Sequence, residues 1–196
     1  MAKLHFRYGA MNAGKTTIML QTAYNYEERN QKVLIIKPSI DTKGNEKVVS
    51  RIGLSRDVDA LISPDDSIFD RIGNYLDITN CILVDEAQFL SKSQVDELYY
   101  ITKLYNIPVI AFGLRTDFKS NGFQGSIRLL ELADALEEMP TICRCGKKAR
   151  FNARKVNGEF TSVGDSVAID GTQNIEYESL CGSCYINKVL KLKKKF

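Results

Sequence analysis

Gly9-Ala10-Met11-Asn12-Ala13-Gly14-Lys15-Thr16 is the stretch that decides the fold. It fits G-x-x-x-x-G-K-[ST], and its flanks supply what that pattern needs. Upstream, Leu4-His5-Phe6-Arg7-Tyr8 alternates with the period of a strand. Downstream, Thr17 to Tyr24 contains neither Pro nor Gly and opens a helix. Strand, loop and helix N-terminus in that order aim backbone N–H groups at an anion. The glycines let the backbone wrap phosphates without a Cβ in the way. Lys15 is expected to reach the β- and γ-phosphates, and the Thr16 hydroxyl to ligate Mg²⁺. The segment reads as a nucleoside triphosphate site.

Beyond this loop, short apolar runs alternate with longer amphipathic ones, the pattern of a parallel sheet flanked by helices. Val33-Leu34-Ile35-Ile36-Lys37 is a strand closed by Pro38, and residues 39–57 read as a long irregular loop. Ser67 to Leu76 is a short helix, and Cys81-Ile82-Leu83-Val84 is a strand apolar on both faces. Ser91 followed by Gln94 is a capping-box signature for a helix running to about Tyr105. A further strand covers 107–113, and a helix is expected over 126–138.

A phosphate-binding loop needs a carboxylate for its metal, and Asp85-Glu86 follows the third strand directly. Asp85 at the strand's C-terminal edge can hold magnesium beside Thr16. Glu86 points elsewhere and can act on whatever attacks the γ-phosphate, which is water in an ATPase and a substrate hydroxyl in a kinase. The acidic pair alone does not separate the two.

Near Pro140 the composition turns polar and cysteine-bracketed, so a boundary is placed there: 1–140 as the nucleotide-binding domain, 141–186 as a second domain, 187–196 as a basic tail. Cys143-x-Cys145 and Cys181-x-x-Cys184 suit tetrahedral Zn²⁺ with four thiolates. A closed four-sulfur set leaves no open position, so the zinc is expected to be structural. Residues 146–180 become a loop tied at its root and free to arch over a ligand. Cys81 stands apart and reads as a buried, inert thiol.

The 196 residues carry a net charge of +3, too little to argue for nucleic acid, and much of that excess lies in the lysine-rich stretch from Lys188 to Phe196. No apolar run has the length of a membrane span and no signal peptide is evident, so the expectation is a cytoplasmic protein with neither membrane nor nucleic acid as partner. A kinase is favoured over two rivals: an ATPase whose zinc module grips nucleic acid, for which the cysteine-bracketed loop is neither basic nor aromatic enough, and a nucleotide-binding regulator without turnover.

Taken together, Tyr8 to Thr16, the run Asp85-Glu86-Ala87-Gln88-Phe89 and the C-terminal cysteine pairs resemble type II thymidine kinases over nearly the whole chain. Ser50-Arg51-Ile52-Gly53-Leu54, Gly113-Leu114-Arg115-Thr116-Asp117-Phe118 and Thr141-Ile142-Cys143 are similar to the bacterial branch. The resemblance implies transfer of the ATP γ-phosphoryl to the 5′-hydroxyl of thymidine or deoxyuridine, feeding DNA synthesis by nucleotide salvage. It implies Glu86 as general base, ATP contacts from residues 9–16 and from Asp85, Glu86, Ala87 and Gln88, and magnesium at Thr16 and Asp85. For the nucleoside it implies Phe89, Leu114, Phe118, Phe123, Asn152, Val167, Ile169 and Tyr177, the last four on the zinc-tethered loop. Feedback by dTTP and a homotetramer are implied in the same way. This chain departs from the family pattern at Ile169-Asp170-Gly171-Thr172-Gln173-Asn174, where a Gly-Gly pair is usual. It also has Lys43 where relatives often have arginine, and Cys at all four metal positions where bacterial relatives often use His.

Overall fold

The computed structural model describes residues 1–41, 46–165 and 174–192. The chain begins with β1 (Leu4–Tyr8), α1 (Lys15–Glu27) and β2 (Val33–Pro38), followed by the short strands β3 (Lys47–Val49), β4 (Ser55–Asp57) and β5 (Ala60–Ile62). Next come α2 (Ile68–Ile72), which tightens into a 3-10 turn over Gly73–Ile78, then β6 (Cys81–Val84), α3 (Lys92–Leu104), β7 (Val109–Gly113), α4 (Gln124–Leu132) and β8 (Ala135–Glu138). Six strands form one sheet in the order β5-β2-β6-β7-β1-β8, every neighbouring pair parallel.

The apolar runs explain why these strands are central. Successive side chains leave opposite faces of a strand, so a run with no polar residue serves two cores at once. Leu34 and Ile36 of β2 join Ile82, Val84, Val95, Leu98, Ile101 and Leu129 on the face covered by α2, α3 and α4. Val33 and Ile35 join Cys81, Leu83, Met19, Ala23 and Phe112 on the face covered by α1. The capping box forms as expected: Ser91 Oγ accepts from Gln94 N–H, and Gln94 Oε1 from Ser91 N–H. Burial pushes the Cys81 thiol up to about 11, which keeps it protonated and inert.

Three expectations change. The helix over 126–138 stops at Leu132, and the chain turns into β8 at the sheet edge. Asp134 fixes that turn: its carboxylate accepts from Leu4 N–H at 2.8 Å and pairs with Lys103 at 2.8 Å. The loop over 39–57 contains an antiparallel hairpin, β3 with β4, anchored by Val48, which is buried beside Ile35 and Met19. The tethered loop over 146–180 is largely sheet. After β9 (Thr141–Ile142) and β10 (Lys148–Ala149), strands β11 (Phe151–Val156), β12 (Glu159–Thr161) and β13 (Ile175–Leu180) form an antiparallel sheet in the order β12-β11-β13. α5 (Gly182–Tyr185) and a π-helical turn over Ile186–Leu190 close this part on its own apolar cluster of Ala149, Ala153, Leu180, Tyr185 and Val189. Val167, Ile169 and Lys43 lie outside the described residues, as do the last four residues of the tail.

Candidate functional site

β1 delivers the chain to Gly9 at the C-terminal edge of the sheet. A Cβ at Gly9 would come within 2.6 Å of the Met139 carbonyl, so this position needs glycine because β8's exit lies against it. At the other end Gly14 has φ +75°, a left-handed turn that starts α1. Between them Lys15 is buried, its Nζ donating to the carbonyls of Gly9 at 3.2 Å and Ala10 at 3.1 Å. The ammonium thus sits inside the loop it would share with a phosphate.

The middle of the loop is held from the far end of the chain. Asn152 on β11 and Ser179 on β13 are directly paired across the ladder. Asn152 Oδ1 accepts from Met11 N–H at 2.8 Å, and the Ser179 hydroxyl donates to the Met11 carbonyl. Asn152 Nδ2 donates to the Thr116 carbonyl at 3.0 Å. The cysteine-bearing part therefore grips both sides of the Met11 peptide.

A cavity of about 770 Å³ opens over the loop, a size in the range of small-molecule sites. Its floor is Met11 to Thr17; Asp41, Arg51 and Glu86 bring charge to it; Phe89, Leu114, Phe118, Phe123 and Tyr177 give it an apolar wall. Phe89 and Phe123 meet edge to face at 5.6 Å. Phe118 is fully buried, with the Arg154 guanidinium 3.8 Å from its ring centroid, its carbonyl accepting from Tyr185 OH at 2.6 Å. Arg154 Nε in turn donates to Tyr177 OH at 3.0 Å, so the aromatic wall is a rigid assembly.

Asp85 follows β6 and is nearly sealed from solvent. Burial pushes its carboxyl up to about 7, with the Glu86 and Asp41 carboxylates adding to the rise and Lys15 opposing it. A buried acid among other acids is a donor set that a divalent cation would satisfy. Glu86 adopts a left-handed backbone (φ 46°, ψ 38°), costing about 1 kcal/mol or more, and this turn brings its side chain to the cavity.

Cys143, Cys145, Cys181 and Cys184 place all four sulfurs within 4.8 Å of one another. Tetrahedral zinc with bonds of about 2.3 Å separates sulfurs by about 3.8 Å, so the set fits a metal ion. Burial works to raise the Cys143 thiol, but the backbone N–H groups of Cys145 and Cys181 together with the Cys145 and Cys184 thiols bring it down to about 6, while hydrogen bonding with Cys145, Cys181 and Cys143 pushes Cys184 up to about 12.

Of the residues singled out in the sequence, Met11 to Thr16, Glu86, Gln88, Phe89, Leu114, Phe118, Phe123, Asn152 and Tyr177 line the one cavity. Gly9, Ala10, Asp85 and Ala87 lie in the layer beneath it and do not line it. Arg51, Asp41, Arg154 and Ser179 received no role from the sequence. Arg51 lay in a quoted motif, but nothing local marks Arg154 or Ser179, whose neighbours come from distant strands.

A parallel sheet, a phosphate-type loop between β1 and α1, and a carboxylate at the end of β6 define a P-loop nucleotide-binding protein. A model of the thymidine kinase family matches residues 2–185. A thymidine kinase of Mannheimia succiniciproducens is 45% identical over 196 residues, covering 98% of this chain and 99% of that protein. Thymidine kinases of Haemophilus influenzae (strain Rd) and Coxiella burnetii are each 46% identical, covering 96% and 92% of this chain and 98% and 93% of theirs. Among solved structures, the replication initiator DnaA bound to AMPPCP and single-stranded DNA aligns at 18% identity with a TM-score of 0.44, covering 71% of this chain and 40% of that one. The chain belongs to the thymidine kinase family. Among the described residues, no helix is long and apolar enough to cross a membrane.

Proposed function

We propose that the protein transfers the γ-phosphoryl group of ATP to the 5′-hydroxyl of thymidine or deoxyuridine, yielding ADP and dTMP or dUMP. The observation that carries this reading is a single cavity with a phosphate-type loop at one side and an aromatic wall at the other, and Glu86 among its lining residues. Backbone N–H groups of the loop and Lys15 would take the β- and γ-phosphates. Phe89, Leu114, Phe118, Phe123 and Tyr177 would hold the pyrimidine, with Asn152 framing it, and Val167 and Ile169 completing the enclosure. Excluding water there favours the sugar hydroxyl over hydrolysis.

In the reaction the 5′-oxygen bonds to the γ-phosphorus as the bond to ADP breaks, its electron pair leaving on the β-phosphate oxygen. The hydroxyl proton passes to the Glu86 carboxylate. Thr16 and Asp85 would hold magnesium, which would supply positive charge to the phosphate oxygens. Arg51, an exposed guanidinium on the cavity rim, is available to the same oxygens. Zinc at the four cysteines would be structural, and the division at residue 140 would separate the donor site from the module that carries part of the acceptor site.

A downstream end product bearing both the base and a triphosphate would bridge the aromatic wall and the phosphate loop of the same cavity, which supports dTTP as a feedback inhibitor. The type II resemblance supports a homotetramer in the cytoplasm. The test is a panel of nucleosides with Mg-ATP, products separated by chromatography. Monophosphates of thymidine and deoxyuridine are expected, with purine deoxynucleosides left unchanged; a purine accepted equally well would remove the proposed pocket.

A further inference from the structure

Gln88 lies two residues beyond Glu86, in the 3-10 turn over Ala87–Phe89, and is 2% exposed. Its side-chain amide is engaged at both ends. Leu114 N–H donates to Oε1 at 3.0 Å, and Nε2 donates to Glu86 Oε2 at 2.5 Å. The orientation follows from chemistry, because a backbone N–H can only donate and a carboxylate can only accept. Gln88 Oε1 also lies 2.9 Å from where a Cβ on Gly113 would sit, so the strand end is shaped around this amide.

The two partners belong to different parts of the site. Glu86 is the base that takes the hydroxyl proton in the proposed reaction, and Leu114 begins the segment that supplies Leu114 and Phe118 to the pyrimidine wall. We infer that Gln88 is a positioning residue, a strut that sets the Glu86 carboxylate at a fixed distance from the nucleoside pocket. This inference rests on the kinase reading above. Tying Oε2 to the amide restrains rotation of the Glu86 carboxylate and so sets how it is presented to the substrate. A carboxylate on a left-handed backbone turn needs such an outside constraint, since its own turn does not fix its rotamer.

The test is Gln88→Met, which keeps the side-chain length and removes both hydrogen bonds, compared with wild type and placed also in a Glu86→Gln background. Binding of ATP and thymidine by titration calorimetry is expected within about threefold of wild type, since the phosphate loop and the wall residues remain. The kcat for dTMP formation is expected to fall about 30-fold, the loss of near-attack alignment. In the Glu86→Gln background the same substitution is expected to cost less than threefold, because the group it positions is gone. A purely structural role would lower affinity together with kcat, or would cost the same in both backgrounds, and either result overturns the inference. So does an unchanged kcat in the single variant. Should Gln88→Met not fold, Gln88→Asn keeps a polar group in the same space but is too short to reach both partners. It is expected to show the same split between kcat and affinity, and restoration of wild-type kcat by Asn would overturn the strut. A wild-type enzyme that makes no dTMP would instead overturn the kinase reading.

Discussion

Asn152→Leu separates two accounts of the residue, one in which it touches the nucleoside and one in which it holds the phosphate loop. Leucine keeps the branched four-atom side-chain skeleton, though its methyls are bulkier, and ends both the Met11 N–H contact at 2.8 Å and the contact to the Thr116 carbonyl at 3.0 Å. Each lost hydrogen bond is worth about 1 kcal/mol net, and the Met11 N–H and Thr116 carbonyl left without partners add about another 1 kcal/mol. A total near 3 kcal/mol in a chain of this length lowers Tm by roughly 6–12 °C. With one side of the Met11 peptide released, the loop is less pre-organised for phosphates, and ATP affinity is expected to fall about tenfold, equivalent to about 1.4 kcal/mol. Scanning calorimetry gives the first number and ATP titration without nucleoside gives the second. Wild-type ATP affinity in Asn152→Leu, with thymidine binding alone weakened, would refute the clamp.

Other outcomes follow from the same geometry. Glu86→Gln is expected to bind ATP and thymidine normally and to lose 10²–10⁴-fold in kcat by steady-state assay, roughly the range for a general base; a near-normal kcat would remove Glu86 from that role. Asp85→Asn is expected to abolish magnesium-dependent turnover yet raise the Tm of the ligand-free protein at pH 8. The wild-type carboxyl is pushed up to about 7 by burial, against about 3.9 when unfolded, so ionising it costs the folded state stability above pH 7. That cost disappears as pH falls from 7 toward 4 and the folded protein takes up the proton, so the two melting curves should converge there. Chelation of the metal, or Cys181→Ser, is expected to weaken thymidine and ATP together, because β11 and β13 hold Met11; calorimetry showing intact ATP affinity would contradict this.

What the sequence makes legible is local. The runs at 33–36, 81–84 and 109–112 announce buried strands because each is apolar throughout, and the Ser91–Gln94 capping box is complete within four residues. The phosphate loop and the acidic pair are equally compact. β8 is different: Leu129, Leu130, Leu132, Ala133 and Leu136 continue a helical period, and the turn is decided by Asp134 meeting Leu4 and Lys103 from far along the chain. The β3–β4 hairpin has strands too short to show alternation, and it is held by contacts from elsewhere in the chain, the burial of Val48 and the Arg56–Glu27 pair at 2.6 Å. Within the site the residues were legible but several of their contacts were not. Asn152 could be matched to a nucleoside position by resemblance, yet its hold on Met11 spans 141 residues. Gln88 could be placed in a motif, while its engagement of Leu114 depends on how β7 and the turn at 87–89 come together.

The measurement that bears most directly on the central claim is the fate of the γ-phosphoryl group. ATP labelled at the γ-phosphate is incubated with magnesium and the protein, with and without thymidine, and labelled monophosphate, free phosphate and ADP are counted. The account requires label in thymidine monophosphate in one-to-one ratio with ADP, and negligible ADP when thymidine is left out. ADP and free phosphate formed without labelled monophosphate would contradict it.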